Sequence, residues 1–159
     1  MTQPLLGVDV TANSSAPPNG IQVGQIFDAA DNKRYICVKA AAAITANAYV
    51  SIDYAYNATM ITKTLADTGA KVGCCQTALT SAYYGFAQIY GPTSGLVLAG
   101  MAANIALYTT ASAGYLASTS LSQTKINGVT IASTVAASSA AGAAACMMEV
   151  EPFPVIVAP

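Results

Sequence analysis

The chain has 159 residues, of which 54% are apolar and only 8% are Asp, Glu, Lys or Arg, and its net charge is -1. Soluble globular domains carry about 25% charged residues, so small uncharged residues and tyrosine must form most of this surface. Such a surface gives little repulsion and a small desolvation cost on association, which favours an assembly component over a dispersed enzyme. With six Lys and Arg residues in all, no basic patch is predicted, and we expect no nucleic-acid partner.

Membrane insertion and secretion are also not predicted. The longest apolar runs, at 97–103 and 143–148, are much shorter than the roughly 20 residues of a spanning helix. The N-terminus has neither a basic region nor a long apolar segment, so we expect no signal peptide and synthesis in a cytoplasm.

The chain begins with a segment, residues 1–20, that has almost no periodicity and ends in turn residues. We interpret it as an extended N-terminal arm. Its apolar side chains could become ordered by docking on a neighbouring molecule. These side chains are Leu5, Leu6, Val8 and Val10.

From residue 21 onward, short β-type runs alternate with turn residues. A hairpin is predicted to join 21–27 to 35–38, and a second to join 105–109 to 115–117. Further strands are predicted at 49–54, 59–62, 74–79, 83–91, 96–99 and 126–135, with a turn at Asn127-Gly128 in the last of these. The run at 83–91 is aromatic and β-branched and is predicted to end at Pro92, which cannot donate to a ladder.

The Ala-rich tract at 136–145 is interrupted by Ser and Gly and is predicted to be a loop that leads into a final strand, 144–151. Prolines then predict an extended C-terminal tail over 152–159, which contains Phe153 and Val155. About ten short strands at a spacing of 8 to 12 residues indicate one all-β domain, 21–151, a sandwich or barrel of jelly-roll type. We find no fixed-period repeat in the sequence.

The residue types needed for most kinds of catalysis are missing. The chain has no histidine, which excludes Ser-His-Asp and Cys-His nucleophiles, and it has no phosphate-binding or dinucleotide-binding glycine loop. A Ser-Lys pair stays formally open, but chance proximity explains it equally well. Asp28, Asp31 and Asn32 have too few oxygen ligands for calcium and are interpreted as turn formers. We therefore predict no enzyme activity, no metal and no cofactor.

The four cysteines do not have metal-ligand spacing, and no histidine is present to complete a zinc site. We interpret them as buried reduced thiols, with disulfides as the open alternative. They are Cys37, Cys74, Cys75 and Cys146.

Three tyrosines of the run at 83–91 are candidates for an interface. Alternation along a strand places Tyr84 and Tyr90 on one face and Tyr83 on the other. These rings can pack in the core, form an inter-subunit contact, or provide a stacking platform for a sugar.

The order of several short motifs resembles that of capsid decoration, or cement, proteins of tailed bacteriophages. The resemblance covers residues 21–151. The motifs are YICVKA at 35–40, VGCCQTA at 72–78, YGFAQIYG at 84–91, LYT at 107–109 and GYL at 114–116.

The resemblance implies a small β-rich virion protein that is made in the host cytoplasm and sits on the outer surface of an icosahedral head. It further implies that the protein bridges neighbouring major capsid subunits, often as a homotrimer at local three-fold axes. In that setting we expect the arm (Leu5, Leu6, Val8, Val10) and the tail (Phe153, Val155) to grip the capsid. The alternative function is a glycan-binding β-sandwich displayed on a phage head or a cell-surface appendage.

Overall fold

Ten strands follow one another in a single hydrogen-bonded order, β1-β2-β4-β3-β5-β6-β10-β9-β7-β8. The structure, a computed structural model, describes residues 8–29, 31–118, 123–136 and 141–155. The strands are β1 (Ile26–Asp28), β2 (Arg34–Ala40), β3 (Ala48–Ile52), β4 (Asn57–Met60), β5 (Lys71–Cys75), β6 (Tyr84–Val97), β7 (Ala106–Thr109), β8 (Leu116–Ala117), β9 (Lys125–Ile131) and β10 (Gly142–Val155). One helical turn, α1 (Lys63–Ala66), and a 3-10 turn (Pro18–Gly20) complete the described elements. The all-β prediction is confirmed.

β6 connects the two parts of the fold, because residues 84–90 pair with β2 and residues 91–97 pair with β10. The prediction that this strand ends at Pro92 is therefore wrong. Gly91, with φ of 92°, lies where the strand changes partners, and a proline is tolerated at such an irregularity. The buried Gln88 amide donates to the carbonyls of Tyr90 (3.0 Å) and Pro92 (2.9 Å), so a side chain satisfies acceptors that lie at the changeover.

The strand pairings of the first half of the chain recur in the second half. In the first unit, residues 34–90, β2 pairs antiparallel with β6 and parallel with β4, β3 pairs with β4 and β5, and β5 pairs with β6. In the second unit, residues 91–148, β6 takes the place of β2. It pairs antiparallel with β10 and parallel with β8, while β7 pairs with β8 and β9, and β9 pairs with β10. The fold is an internal duplication in which β6 belongs to both units.

Individual residues confirm this correspondence. Asn47 and Asn104, which are 57 positions apart, both adopt left-handed backbone, with φ of 63° and 59°. Each comes three residues after a residue in an isolated bridge, Ile44 in the first unit and Met101 in the second. No fixed-period repeat is found in the sequence, and the correspondence between the two units lies in their strand pairings and backbone conformation.

The core spans both units. Its largest buried cluster contains Tyr49 and Val72 from the first unit and Leu107 and Met148 from the second. A second cluster fills the first unit, and a third lies on the other face of β2 and β6 around Cys37 and Phe86. Because both faces of these strands are covered, consecutive residues of β6 are buried instead of alternate ones. The two units form one domain.

Two predicted boundaries near the C-terminus differ from the structure. Asn127 and Gly128 lie inside β9 and do not form a hairpin turn; Gly128 has φ of 75°, and the register with β10 shifts between Met148 and Phe153. A glycine in left-handed conformation is typical of a β-bulge. β10 extends over 142–155, so it includes the Ala-rich residues from 142 and the first four residues of the predicted tail.

Candidate functional site

The described part of the N-terminal arm docks on its own domain. Ser14 and Tyr84 exchange two backbone hydrogen bonds, at 3.0 and 2.8 Å. The Asn13 amide donates to the Thr80 hydroxyl and accepts from the Thr80 amide, both at 3.1 Å.

The arm also contributes apolar side chains to the domain. Val8 and Val10 are half-buried against the cluster around Phe86. Leu5 and Leu6, the other two residues predicted to grip a capsid, lie outside the described residues. Residues 8–14 therefore form part of the fold, and a partner can reach only the remaining surface of the two valines.

The three candidate interface tyrosines are all partly buried. Lys39 places its ammonium group 5.6 Å from the centre of the Tyr84 ring, within the range of a cation–π contact. Tyr84 pairs with Lys39 and Tyr90 pairs with Arg34 in the β2–β6 ladder. Tyr83 precedes the strand, and its carbonyl accepts from the Ala40 amide at 2.8 Å. Tyr84 and Tyr90 lie in β6 and Tyr83 just before it, and the three rings do not form a fully exposed platform.

The backbone of the predicted tail residues belongs to the last strand. Phe153 pairs with Asn127 and Val155 pairs with Lys125 in the β9–β10 ladder. Their side chains lie outside the described part of the structure. Pro154 lies between them and has no amide proton to donate. On the edge of β10 that the Pro154 nitrogen faces, a strand of another molecule could therefore not form a complete set of hydrogen bonds.

The most exposed aromatic group lies elsewhere, in the turn between β3 and β4. Among the described residues, the large apolar side chains that are exposed are Ile26, Tyr54 and Tyr56, and Tyr54 is fully exposed. Both tyrosines line a cleft of about 500 Å³ next to the start of β5. The lining residues are Ile52, Asp53, Tyr54, Tyr56, Thr68, Gly69, Ala70 and Lys71.

Asp53 fixes the shape of this turn. One carboxylate oxygen accepts from the backbone amides of Ala55 (2.9 Å) and Asn57 (2.8 Å), and the other accepts from the Asn57 side-chain amide (3.0 Å). The hydrogen bond from the Asn57 side chain, followed by the two backbone bonds, lowers the pKa of Asp53 from its ordinary value. The carboxylate is therefore ionised at neutral pH, and the tyrosines are held on a preformed turn.

Two features fix the position of the Tyr56 side chain, namely its backbone conformation and the packing of its ring. Its φ of 61° is in the left-handed region, and its ring lies against the backbone of Gly24, where an added Cβ would be 2.3 Å from a ring carbon. Only a glycine leaves room for the ring at that position.

Sequence reasoning missed this turn because it continued the strand through Tyr54, whereas β3 ends at Ile52. A local signal was present. Asp53 and Asn57 lie on either side of residues 54–56, and both residue types stabilise turns through their side chains. This spacing indicates a turn with Tyr54 and Tyr56 at its exposed tip.

Several other ionisable groups occupy structural positions. Among the described residues, ion pairs join Lys33 to Asp31 (2.6 Å), Arg34 to Asp28 (2.6 Å) and Lys63 to Asp67 (2.8 Å). The residues Asp28 and Asp31 flank the β1–β2 connection, as expected of turn formers. In the described ranges, no group of three or more Cys, Asp or Glu side chains could hold a metal ion.

All four cysteines are free and buried, in agreement with the sequence prediction. Burial raises the pKa of Cys37 to about 11 and that of Cys74 to about 12. Thiols with such values are almost entirely protonated at neutral pH and are poor nucleophiles.

Comparisons with known proteins give no family for this chain: no family model matches it, and no curated protein matches it. Within the part of the chain that the structure describes, no helix is both long and apolar enough to cross a membrane.

Proposed function

We propose that this protein is a structural component of a virion that binds the outer surface of an icosahedral phage head and bridges major capsid subunits. It acts by binding and without catalysis. The observation that carries the proposal is the small number of charged residues available to its surface, 8% of the chain. Among the described residues, the exposed charged side chains are Asp9, Asp31, Asp53, Lys63, Lys71 and Glu149.

The turns of the duplicated fold support this proposal. Four turn segments precede strands that are equivalent in the two units, β3 with β7 and β6 with β10. The segments carry no charge, and most of their residues are exposed Ala, Ser, Thr or Gly. They are 41–45, 78–82, 100–104 and 132–136. Bridges hold the segments in pairs, Ile44 with Leu79 and Met101 with Val135. Small uncharged side chains allow a partner's backbone to approach closely, and their burial does not require a charge to be removed from water.

The resemblance to decoration proteins supports a homotrimer at local three-fold axes of the shell. A closed trimer matches the symmetry of such sites and repeats the same contact three times. Because this protein would bind the expanded lattice and not dispersed capsid subunits, mass action would stabilise the shell. In this proposal the gripping residues are Leu5 and Leu6, the outer surfaces of Val8 and Val10, and the residues Phe153 and Val155.

Co-sedimentation with expanded heads, assembled from the major capsid protein of the same genome, tests this function. We expect saturable binding of the wild-type protein. The double variant Leu5→Ala/Leu6→Ala should bind about tenfold or more weakly, which corresponds to about 1.4 kcal/mol.

A second double variant in the same segment, Thr2→Ala/Gln3→Ala, is the matched control and should bind like wild type. Failure of the wild-type protein to bind expanded heads would contradict the function itself. Normal binding by the leucine variant would instead show that Leu5 and Leu6 do not contribute to capsid binding, and it would not contradict the function.

A further inference from the structure

We propose that the cleft beside Tyr54 and Tyr56 binds a pyranose ring of a carbohydrate, with the Tyr54 ring as its stacking face. This inference does not rest on capsid binding, because its observations concern the cleft alone and its test uses sugar probes without a capsid. It also differs from the glycan site considered in the sequence analysis, which was placed at Tyr83 and Tyr84.

The first observation is that Tyr54 makes no evident contribution to packing. Its side chain is fully exposed, whereas large aromatic side chains ordinarily bury most of their surface. A protein with so little surface charge gains no solubility from an exposed ring. The exposed ring is therefore available to contact another molecule.

The second observation is the choice of residue at position 56. The chain has Asn at three of its left-handed positions, Asn32, Asn47 and Asn104, and Asn tolerates this conformation well. Tyr56 and Ala82 have the same conformation, which contact between the Cβ atom and the backbone disfavours. Such strain is frequently found at binding sites, and here it holds a ring at the wall of the cleft.

The third observation is the combination of groups in the cleft. Tyrosine faces can cover the C–H face of a sugar, and polar groups at the rim can bond its hydroxyls. A carboxylate has about four acceptor positions, and the Asp53 carboxylate accepts three hydrogen bonds within the protein. It is thus already oriented and can accept one more, from a sugar hydroxyl. Lys71, also in the lining, adds donors.

The size of the cleft favours a small ring over a protein partner. Its volume of about 500 Å³ falls within the usual range of small-ligand sites, roughly 300–1,000 Å³. Protein interfaces bury about 800 Å² on each partner and are usually flatter. A protein contact through the same tyrosines is the competing outcome of the test.

Saturation-transfer-difference NMR provides the test, with the intact protein and three probes at millimolar concentration: maltotetraose, cellotetraose and chitotetraose. We expect saturation transfer to the ring C–H protons of at least one probe. Tyr54→Ala should weaken that binding about tenfold or more, while Tyr54→Phe, which keeps the aromatic face, should retain it.

Tyr108→Ala is the matched control, because it removes a partly buried tyrosine of β7 that does not line the cleft, and it should leave the transfer unchanged. Tyr54→Ala should unfold at the wild-type temperature, since the ring is fully exposed. Absence of transfer from all three probes would overturn the proposal. So would normal sugar binding by Tyr54→Ala, or a loss of head binding in that variant without any sugar binding.

Discussion

At the scale of single residues, glycines set how closely the two units approach each other. Tyr49 lies in β3 of the first unit and Gly95 lies in β6, where the second unit begins. An added Cβ on Gly95 would be 2.1 Å from the Tyr49 hydroxyl oxygen and 2.3 Å from a ring carbon. Interiors are packed too densely to absorb such an overlap without movement.

We therefore expect Gly95→Ala to lower the free energy of unfolding by about 1–3 kcal/mol, the usual cost of overpacking. Gly69→Ala is the control: Gly69 has φ of 74° and no atom within 4 Å of an added Cβ, so only the backbone penalty of about 1–2 kcal/mol applies. Urea unfolding measures both changes. Wild-type stability of Gly95→Ala would contradict the packing described for Tyr49.

The buried thiols predict a specific dependence of stability on pH. Burial raises the pKa of Cys37 to about 11 from a value of 9.0 and the pKa of Cys74 to about 12. Above pH 9 the unfolded chain releases thiol protons that the folded chain retains, so the stabilisation present below pH 9 is lost as the pH rises.

Denaturant unfolding should accordingly show a stability that falls from pH 9 towards pH 11. A thiol reagent at pH 8 should modify all four cysteines in denaturant and react only slowly with the folded protein. Rapid modification of any cysteine in the folded protein would contradict the burial of these thiols.

At the scale of secondary-structure elements, the sequence predicted the hairpins well and the long strands poorly. The sequence predicted that 105–109 pairs with 115–117 and that 21–27 pairs with 35–38, since both hairpins are local and bounded by turn residues; the structure pairs β7 with β8 and β1 with β2, with β1 beginning only at Ile26. The continuation of β6 beyond Pro92 was not predictable, because it depends on a partner, β10, more than 40 residues away in the chain.

The candidate site was predictable only in its residue types. Tyrosines were expected to form contacts, but their exposure is decided by long-range packing. The third buried cluster covers one face of the strand that carries Tyr83 and Tyr84, and the turn at Asp53 leaves Tyr54 in solvent. Neither the partial burial of Tyr83 and Tyr84 nor the exposure of Tyr54 can be predicted from the alternation of residues along a single strand.

The duplication predicts that equivalent turns respond equally to substitution. Asn47→Ala and Asn104→Ala should each lower the free energy of unfolding by about 1 kcal/mol, and the Gly variants should cost less, because Ala is disfavoured in left-handed backbone. Ala82, three residues after the bridging residue Leu79, has φ of 66°. Ala82→Gly should therefore raise stability, by roughly 1 kcal/mol, because relief of the left-handed strain outweighs the extra entropy that glycine loses on folding.

Chemical denaturation of the five variants measures these differences. A destabilising effect of Ala82→Gly, or a large difference between Asn47→Ala and Asn104→Ala, would contradict the equivalence of the turns.

At the scale of the whole molecule, the chain joins two units through a shared strand and a shared core, and it exposes turns of small uncharged residues. Its low charge gives little protection against association. A surface of this kind suits a molecule that spends its functional life in contact with other proteins, which is the basis of the proposed role on a capsid.

The homotrimer that the resemblance to decoration proteins implies is tested by the native mass, measured by light scattering after size exclusion. We expect a stable trimer, which closes its contacts by three-fold symmetry. A clean monomer at all concentrations would contradict self-association in solution and would leave trimer formation on the capsid lattice as the only route to a three-fold assembly.

The central claim of the proposal, attachment to the outside of a phage head, is tested most directly by cryo-electron microscopy of virions purified from cells that carry the genome encoding this chain. We predict density above the capsid surface at local three-fold axes, into which three copies of the ten-stranded fold can be placed. Well-resolved heads without such density, from virions in which mass spectrometry also fails to find the protein, would contradict the account.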